Sequence, residues 1–152
     1  MTIIFLVTFI GLMGFGIILP LFPFYAERMG ASPEIITLTM AAFSLGQFVA
    51  APLWGRLRDS IGRKPVLILT LLGSALSYVV LAYAPNLTVV ILSRMLSGLM
   101  AGNVSIAFAY VTDITDDRNR AAGLGKVSAA LGLGFMTGPA IGGLLAGNTV
   151  ES

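Results

Sequence analysis

The chain has 152 residues, of which 57% are hydrophobic and 11% are charged, and its formal net charge is +2. Soluble domains carry about 25% charged residues, so this composition excludes an ordinary soluble protein and predicts one embedded in a lipid bilayer. The small net charge gives no reason to expect a nucleic-acid partner. Cysteine and histidine are both absent, which excludes disulfides, thiolate or imidazole metal sites and the common catalytic constellations. We therefore expect neither an enzyme nor a metal centre.

Hydropathy divides the chain into segments that are long enough to cross a membrane. A bilayer-spanning helix needs about 20 predominantly apolar residues. Pro33 and Pro65 stand at the starts of two such segments, where the missing backbone N–H costs little, and residues 84–86 form a turn between two others. The sequence thus predicts an all-α membrane protein with five helices, at about residues 2–25, 34–54, 65–83, 87–112 and 127–146.

Basic residues indicate which side of the membrane each connection faces. Short cytoplasmic loops carry an excess of lysine and arginine, and seven of the nine such residues follow helices 2 and 4. These are Arg56, Arg58, Arg63, Lys64, Arg118, Arg120 and Lys126. The N-terminus is therefore expected in the cytoplasm and residue 152 on the outer side, in the plasma (bacterial inner) membrane.

The connection between helices 2 and 3 reads GRLRDSIGRK. Topology anchoring alone would account for its four cations, but not for Asp59 or for the two glycines, Gly55 and Gly62, which permit a positive φ. We expect a tight turn at the membrane surface, in which Asp59 pairs with Arg63 or faces the positive end of a helix. Asp113, near the end of helix 4, is a second acid that could join them.

This connection resembles the G-x-L-x-D-x-x-G-R-K signature between helices 2 and 3 of the major facilitator superfamily. The matching residues are Gly55, Leu57, Asp59, Gly62, Arg63 and Lys64. The resemblance implies a latch of Asp59, Arg63 and Asp113, which holds the two halves of a transporter together in its outward-facing state. The helix that the latch grips would belong to the C-terminal half, outside this chain.

The connection between helices 4 and 5 also has a counterpart in this superfamily. Asp113, Thr115 and Arg120 are similar to a D-x-T pattern followed by an arginine in tetracycline-type exporters. The resemblance adds Arg120 to the latch region. The alternative is a solvated turn in which Thr115 or Asp116 caps helix 5, and both interpretations can hold at once.

Arg94 is a charge inside predicted helix 4, about seven residues from its start and therefore about 10 Å below the outer surface. A charge at the centre of a span costs about 2.5–3.5 kcal/mol on insertion scales. The side chain either snorkels to the interface or faces a polar cavity. With Gly98 and Gly102 it resembles the superfamily's helix 4 motif R-x-x-x-G-x-x-x-G, which implies that Arg94 faces the central cavity.

Helical spacing predicts which other residues line this cavity. At about 100° per residue, the residues on the face of Arg94 are Ser97, Ala101, Ser105 and Phe108. Phe15 of helix 1 adds an apolar, aromatic surface that would suit a lipophilic substrate. Gln47 of helix 2 is a further polar candidate, which could instead hydrogen-bond to a neighbouring helix.

Predicted helix 5 contains the glycine-rich segment GFMTGPAIGG. Small residues spaced four apart allow helix backbones to approach closely in lipid, and a proline kinks a helix, so general helix packing is one interpretation. The full pattern resembles a G-x-x-x-G-P-x-x-G-G motif typical of the superfamily's antiporters, chiefly drug:proton exporters, which implies export. The residues of this motif are Gly134, Gly138, Pro139, Gly142 and Gly143.

Helix 1 ends in a second exporter-like pattern. Residues 14–23 resemble the G-x-G-x-x-x-P-x-x-P of tetracycline-type and multidrug exporters, but Gly11 stands where many relatives carry an acid. No acidic residue lies in the interior of the five predicted spans. A proton gradient is the expected energy source, without a bound cofactor, so a proton-coupling carboxylate is expected outside this chain.

A weaker pattern, P-x-x-G-x-L, occurs twice, at residues 52–57 and 139–144. It falls near the cytoplasmic end of one span and the outer end of another, as inverted three-helix repeats would place it. The resemblance as a whole implies the incomplete six-helix N-terminal half of a transporter with about twelve helices. Expected partners are the lipid bilayer, a small-molecule substrate and the missing C-terminal helices.

The predicted function is secondary active efflux of small lipophilic compounds by alternating access. Two alternatives fit the same residues. One is a solute importer with the same fold, and the other is a stand-alone truncated membrane protein with a structural or assembly role.

Overall fold

The computed structural model describes residues 2–150, most of which lie in six α-helices, and no β-strand occurs among them. The helices are α1 (Thr2–Arg28), α2 (Pro33–Ile61), α3 (Arg63–Ala82), α4 (Leu87–Leu99), α5 (Asn103–Ile114) and α6 (Asp117–Val150). Helices α4 and α5 together make one span, so these residues contain five segments that are long and apolar enough to cross a membrane. The predicted all-α membrane fold with five spans is confirmed.

The connection between α2 and α3 is a single residue, Gly62, instead of the predicted ten-residue turn. Gly62 has a φ of 90°, a conformation that favours glycine, and its N–H donates to the Arg58 carbonyl at 3.0 Å. The residues before it are helical because arginine and leucine favour a helix and no proline occurs between Pro52 and Pro65. Gly55 lies within α2, so of the two glycines that permit a positive φ only Gly62 adopts one.

The predicted fourth helix is interrupted by a turn at residues 100–102, which separates α4 from α5. The N–H of Ala101 donates to the Gly98 carbonyl, only three residues back, at 3.1 Å. Two glycines four residues apart weaken the helix here, because glycine has a low helix propensity. The prediction of one continuous helix over 87–112 is wrong, although the two helices together still make one span.

Helix α6 begins at Asp117, about three turns earlier than predicted. The Asp116 carbonyl accepts the N–H of Arg120 at 2.9 Å. The Thr115 hydroxyl donates to the Val111 carbonyl at 2.6 Å, and of the two residues predicted to cap this helix, Asp116 is the one directly before it. The extra turns are polar, and hydropathy alone therefore placed the start of the helix too late.

The chain divides into two compact units. The middle unit comprises residues 26–106, and the terminal unit comprises residues 1–25 together with 107–152. Within the middle unit, α2, α3 and α4 pack against one another. Within the terminal unit, a buried apolar cluster joins residues of α1, α5 and α6, namely Ile4, Ala107, Val111 and Val127.

Helices α2 and α4 are in backbone contact because each contributes a glycine to their crossing. A Cβ added to Gly98 would collide with the Phe43 carbonyl oxygen, and one added to Gly46 would collide with the Met95 carbonyl oxygen. Helices associate in lipid through such close approach, since lipid tails are as apolar as the side chains that would be buried. The crossing also brings Phe43 close to Arg94.

Candidate functional site

Arg94 lies in the middle unit with only 5% of its surface exposed. Its Nη2 donates to the Ser97 hydroxyl at 3.2 Å, and its guanidinium carbon lies 5.8 Å from the centre of the Phe43 ring, which is within the range of a cation–π interaction. Ser97 is farther from the start of α4 than Arg94 is. The side chain therefore does not extend back toward the start of the helix, as snorkelling to that end would require.

Two serines connect Arg94 to the neighbouring helix. The hydroxyl oxygens of Ser97 and Ser77 are 2.9 Å apart and join α4 to α3. The Ser97 oxygen also lies 2.9 Å from the Ser93 carbonyl oxygen, and the Ser77 oxygen lies 2.8 Å from the Ser74 carbonyl oxygen. Both hydroxyl groups are buried, so they find these partners inside the protein. No sequence motif singled out Ser77, although a serine in an apolar span is a signal for such a contact.

The residues predicted to share the face of Arg94 separate at the break after α4. Ala101 lies in the turn and Ser105 lies in α5, where they line, with Gln47, a cavity of about 150 Å³ in the middle unit. Trp54 and Arg58 contribute to its other walls. A cavity of about 150 Å³ accommodates a benzene-sized molecule, so this space suits a small apolar group with a few polar contacts.

The two phenylalanines predicted for the cavity belong to the terminal unit. Phe15 meets Phe135 edge to face, with ring centres 6.1 Å apart. Phe108 packs against the buried cluster of α1, α5 and α6. The predicted association of these two side chains with Arg94 stays a prediction.

Trp54 is a residue whose role the sequence motifs missed. Its indole N–H donates to the carbonyl of Leu99, the last residue of α4, where carbonyls have no helical partner. A Cβ added to Gly102 would lie 3.0 Å from the Trp54 ring, and the Met100 side chain fills the space that a side chain at Gly73 would need. Contacts from α2 and α3 thus stabilise the turn at residues 100–102. The available signal was the single tryptophan of the chain.

The latch residues predicted at the junction of α2 and α3 are largely accessible. Asp59 exposes 76% of its side chain and lies 3.5 Å from the Nε of Arg58. Leu57 is half-buried near the end of α2, and Lys64 is exposed in the first turn of α3. The pairing of Asp59 with Arg63 stays a prediction.

The other two latch candidates lie in the terminal unit. Asp113 is exposed near the end of α5, and its predicted grouping with Asp59 stays a prediction. Arg120 pairs through Nη1 with Asp117, one helical turn before it, at 2.9 Å. An exposed pair of this kind contributes about 0–1 kcal/mol to stability. It therefore orients the Arg120 side chain at the start of α6 but adds little to the stability of the helix.

Three glycines of the exporter-like motif lie so close to α1 that no side chain fits between the helices. An added Cβ would lie 2.9 Å from Leu12 Cβ at Gly134, 2.7 Å from Gly16 Cα at Gly138 and 3.0 Å from the Ile17 carbonyl at Gly142. Pro139 shares this contact, because a Cβ on Gly16 would lie 3.2 Å from its Cδ. Gly143 is exposed and an added Cβ there would meet nothing within 4 Å, so it takes no part in this contact among the described residues.

Comparison with known proteins agrees with these motifs. A family model described as Major Facilitator Superfamily matches residues 4–150. The class C tetracycline resistance protein of Escherichia coli is 36% identical over 135 residues, which are 87% of this chain and 34% of that protein. Its class B counterpart, also from Escherichia coli, is 35% identical over 140 residues, 90% of this chain and 35% of that protein. Multidrug resistance protein 2 of Bacillus subtilis (strain 168) is 36% identical over 140 residues, 91% of this chain and 35% of that protein. The chain spans about a third of the length of these relatives.

Proposed function

The chain belongs to the Major Facilitator Superfamily, as its motifs predicted, and is an integral membrane protein, and from this premise we propose that the complete protein exports small lipophilic compounds by alternating access. The observation that carries the proposal is the similarity to resistance proteins for tetracycline and for multiple drugs. In this proposal the protein is a secondary active transporter and not an enzyme, and it uses the proton gradient without a cofactor. Its partners are the lipid bilayer, a small-molecule substrate and the C-terminal helices of the same transporter.

We place the protein in the bacterial inner membrane with its N-terminus in the cytoplasm. Because Gly62 alone separates α2 from α3, the four cations around it gather at one end of this helix pair. These cations are Arg56, Arg58, Arg63 and Lys64. A positive cluster of this kind favours the cytoplasmic side. Residue 152, predicted on the outer side, lies outside the described residues.

The contact between α1 and α6 supports export as the direction of transport. The three glycines that make this contact belong to the antiporter-like pattern, and they let the two backbones touch. Such a contact leaves no room for water between the helices. In the proposal, α1 and α6 therefore stay together while other helices move during the transport cycle.

The middle unit supplies two surfaces for a substrate and its transport. The cavity beside Gln47 and Ser105 offers an apolar space with a few polar groups, which is the usual composition of a small-molecule site. Arg94 offers a positive charge in a fixed position. We assign substrate contact to Gln47, Ala101 and Ser105, and to Arg94 a role in the transport cycle.

Export is tested with the full-length protein in bacteria that lack their own drug exporters. Cells loaded with a lipophilic fluorescent dye should lose the dye faster than cells with an empty vector, and a protonophore should abolish the difference. Gln47→Ala should slow this loss, whereas Phe48→Ala, at the adjacent residue with 79% exposure, should leave it unchanged. Net accumulation of solute would indicate an importer instead, and no effect on any of a panel of solutes would favour a structural role.

A further inference from the structure

The hydroxyl groups beside Arg94 form a chain whose protons can be counted. Three contacts require a serine hydroxyl as donor: Ser97 to Ser77 at 2.9 Å, Ser97 to the Ser93 carbonyl at 2.9 Å, and Ser77 to the Ser74 carbonyl at 2.8 Å. Each hydroxyl has one proton. The two hydroxyl groups can therefore make only two of these three hydrogen bonds at any moment.

Three proton arrangements are compatible with these oxygen positions. In the first, Ser97 donates to Ser77 and Ser77 donates to the Ser74 carbonyl. In the second, Ser77 donates to Ser97 and Ser97 donates to the Ser93 carbonyl. In the third, each hydroxyl donates to the carbonyl of its own helix. The Ser97 oxygen has two lone pairs, so in every arrangement it still accepts the hydrogen bond from Arg94. The position of the guanidinium is thus independent of which arrangement is present.

We propose that Ser97 and Ser77 are positioning residues for Arg94, which fix its guanidinium on α4 against α3 through uncharged partners. The proposal rests on the function proposed above, in which Arg94 acts in the transport cycle. A carboxylate at either position would hold the guanidinium strongly but would also neutralise it. A hydroxyl pair sets the position of the charge and leaves its magnitude unchanged.

Burial makes these hydrogen bonds difficult to replace. Ser77 exposes none of its surface and Ser97 exposes 4%, so water does not readily take the place of a lost hydroxyl. The ring of Phe43, on α2, lies 5.8 Å from the guanidinium carbon. Arg94 therefore contacts Ser97 on its own helix and Phe43 on α2, and Ser77 on α3 supports Ser97.

A double-mutant cycle in the full-length protein tests the proposal, with dye export as the first measurement. Ser97→Ala should lower the maximal export rate about tenfold and Ser77→Ala about threefold, because the cation loses a buried acceptor or its support. In an Arg94→Ala background, adding Ser97→Ala should change the rate by less than about twofold, since residues that act together are not additive. Ser93→Ala is the matched control: its side chain is 1% exposed and donates only to the Val90 carbonyl of its own helix, so export should persist.

Thermal unfolding of the same purified variants provides a second measurement that does not depend on transport. Ser97→Ala should lower the unfolding midpoint, and most of this loss should disappear in the Arg94→Ala background. Additive effects in both measurements, or normal export by Arg94→Ala, would overturn the proposal. If the unmodified protein exported nothing while the unfolding cycle still showed coupling, the proposed function would fail and the positioning of Arg94 would stand.

Discussion

At the scale of single residues, the exposure of Asp59 limits how much its charge contributes to folding. Its carboxylate is 76% exposed and lies 3.5 Å from Arg58. Exposed ion pairs contribute about 0–1 kcal/mol, because water screens the charges and the long side chains lose entropy. A large functional effect of Asp59 would therefore arise from a helix or a conformational state beyond this pair.

Asp59→Asn in the full-length protein should leave expression close to that of the unmodified protein and abolish most dye export. The physical reason is that a latch needs the charge in one conformational state only. Arg56→Gln, an exposed cation outside the latch motif, is the matched control and should have a mild effect. Equal losses of export from the two substitutions would favour a simple topology anchor.

At the scale of helices, backbone contacts through glycine occur in both units. Gly98 and Gly46 bring α2 and α4 together, and three glycines of α6 pack against α1. Side chains between these helices would have to be accommodated by moving a backbone, and overpacking of this kind costs about 1–3 kcal/mol. The glycines therefore determine both which helices pack together and how far apart their backbones lie.

Gly138→Val should destabilise the protein by about 1–3 kcal/mol more than Gly143→Val. A side chain at Gly138 would collide with Gly16, whereas one at Gly143 would meet nothing within 4 Å. Both substitutions place the same β-branched residue in α6, so the helix-propensity cost is shared. Thermal unfolding of the purified variants measures the difference, and equal midpoints would contradict the α1–α6 contact.

At the scale of the whole molecule, charge asymmetry relates the helices to the membrane. The junction of α2 with α3 and the start of α6 carry most of the basic residues. Cytoplasmic loops retain such residues during insertion. In the proposed topology, the turn between α3 and α4, with no basic residue, lies on the opposite side.

Single cysteines at three exposed positions test this orientation, since the chain has no native cysteine. In intact cells, a membrane-impermeant thiol reagent should label Pro85→Cys but not Ser60→Cys or Asn119→Cys. Opening the inner membrane should make the last two reactive. Labelling of Ser60→Cys from outside would reverse the proposed topology and the placement of the latch with it.

The sequence by itself determined the spans, the basic connections and the exporter-like motifs, because apolar length, charge and short motifs are properties of adjacent residues. It also predicted that Gly134, Gly138 and Gly142 form a packing face, since residues four apart share one side of a helix. Helix ends were less predictable. Local helix propensity extends α2 over most of the expected turn and begins α6 at Asp117. Both stretches are too polar for hydropathy to predict a membrane span there.

Only the tertiary structure decided which residues meet across helices. The pairing of Ser97 with Ser77, of Gly138 with Gly16 and of Trp54 with Leu99 joins residues far apart in sequence. The break after α4 has the same origin: two glycines weaken the helix, and the Trp54 indole donates to a carbonyl at its end. These outcomes depend on how backbones cross, and a one-dimensional pattern of hydropathy and charge does not contain that information.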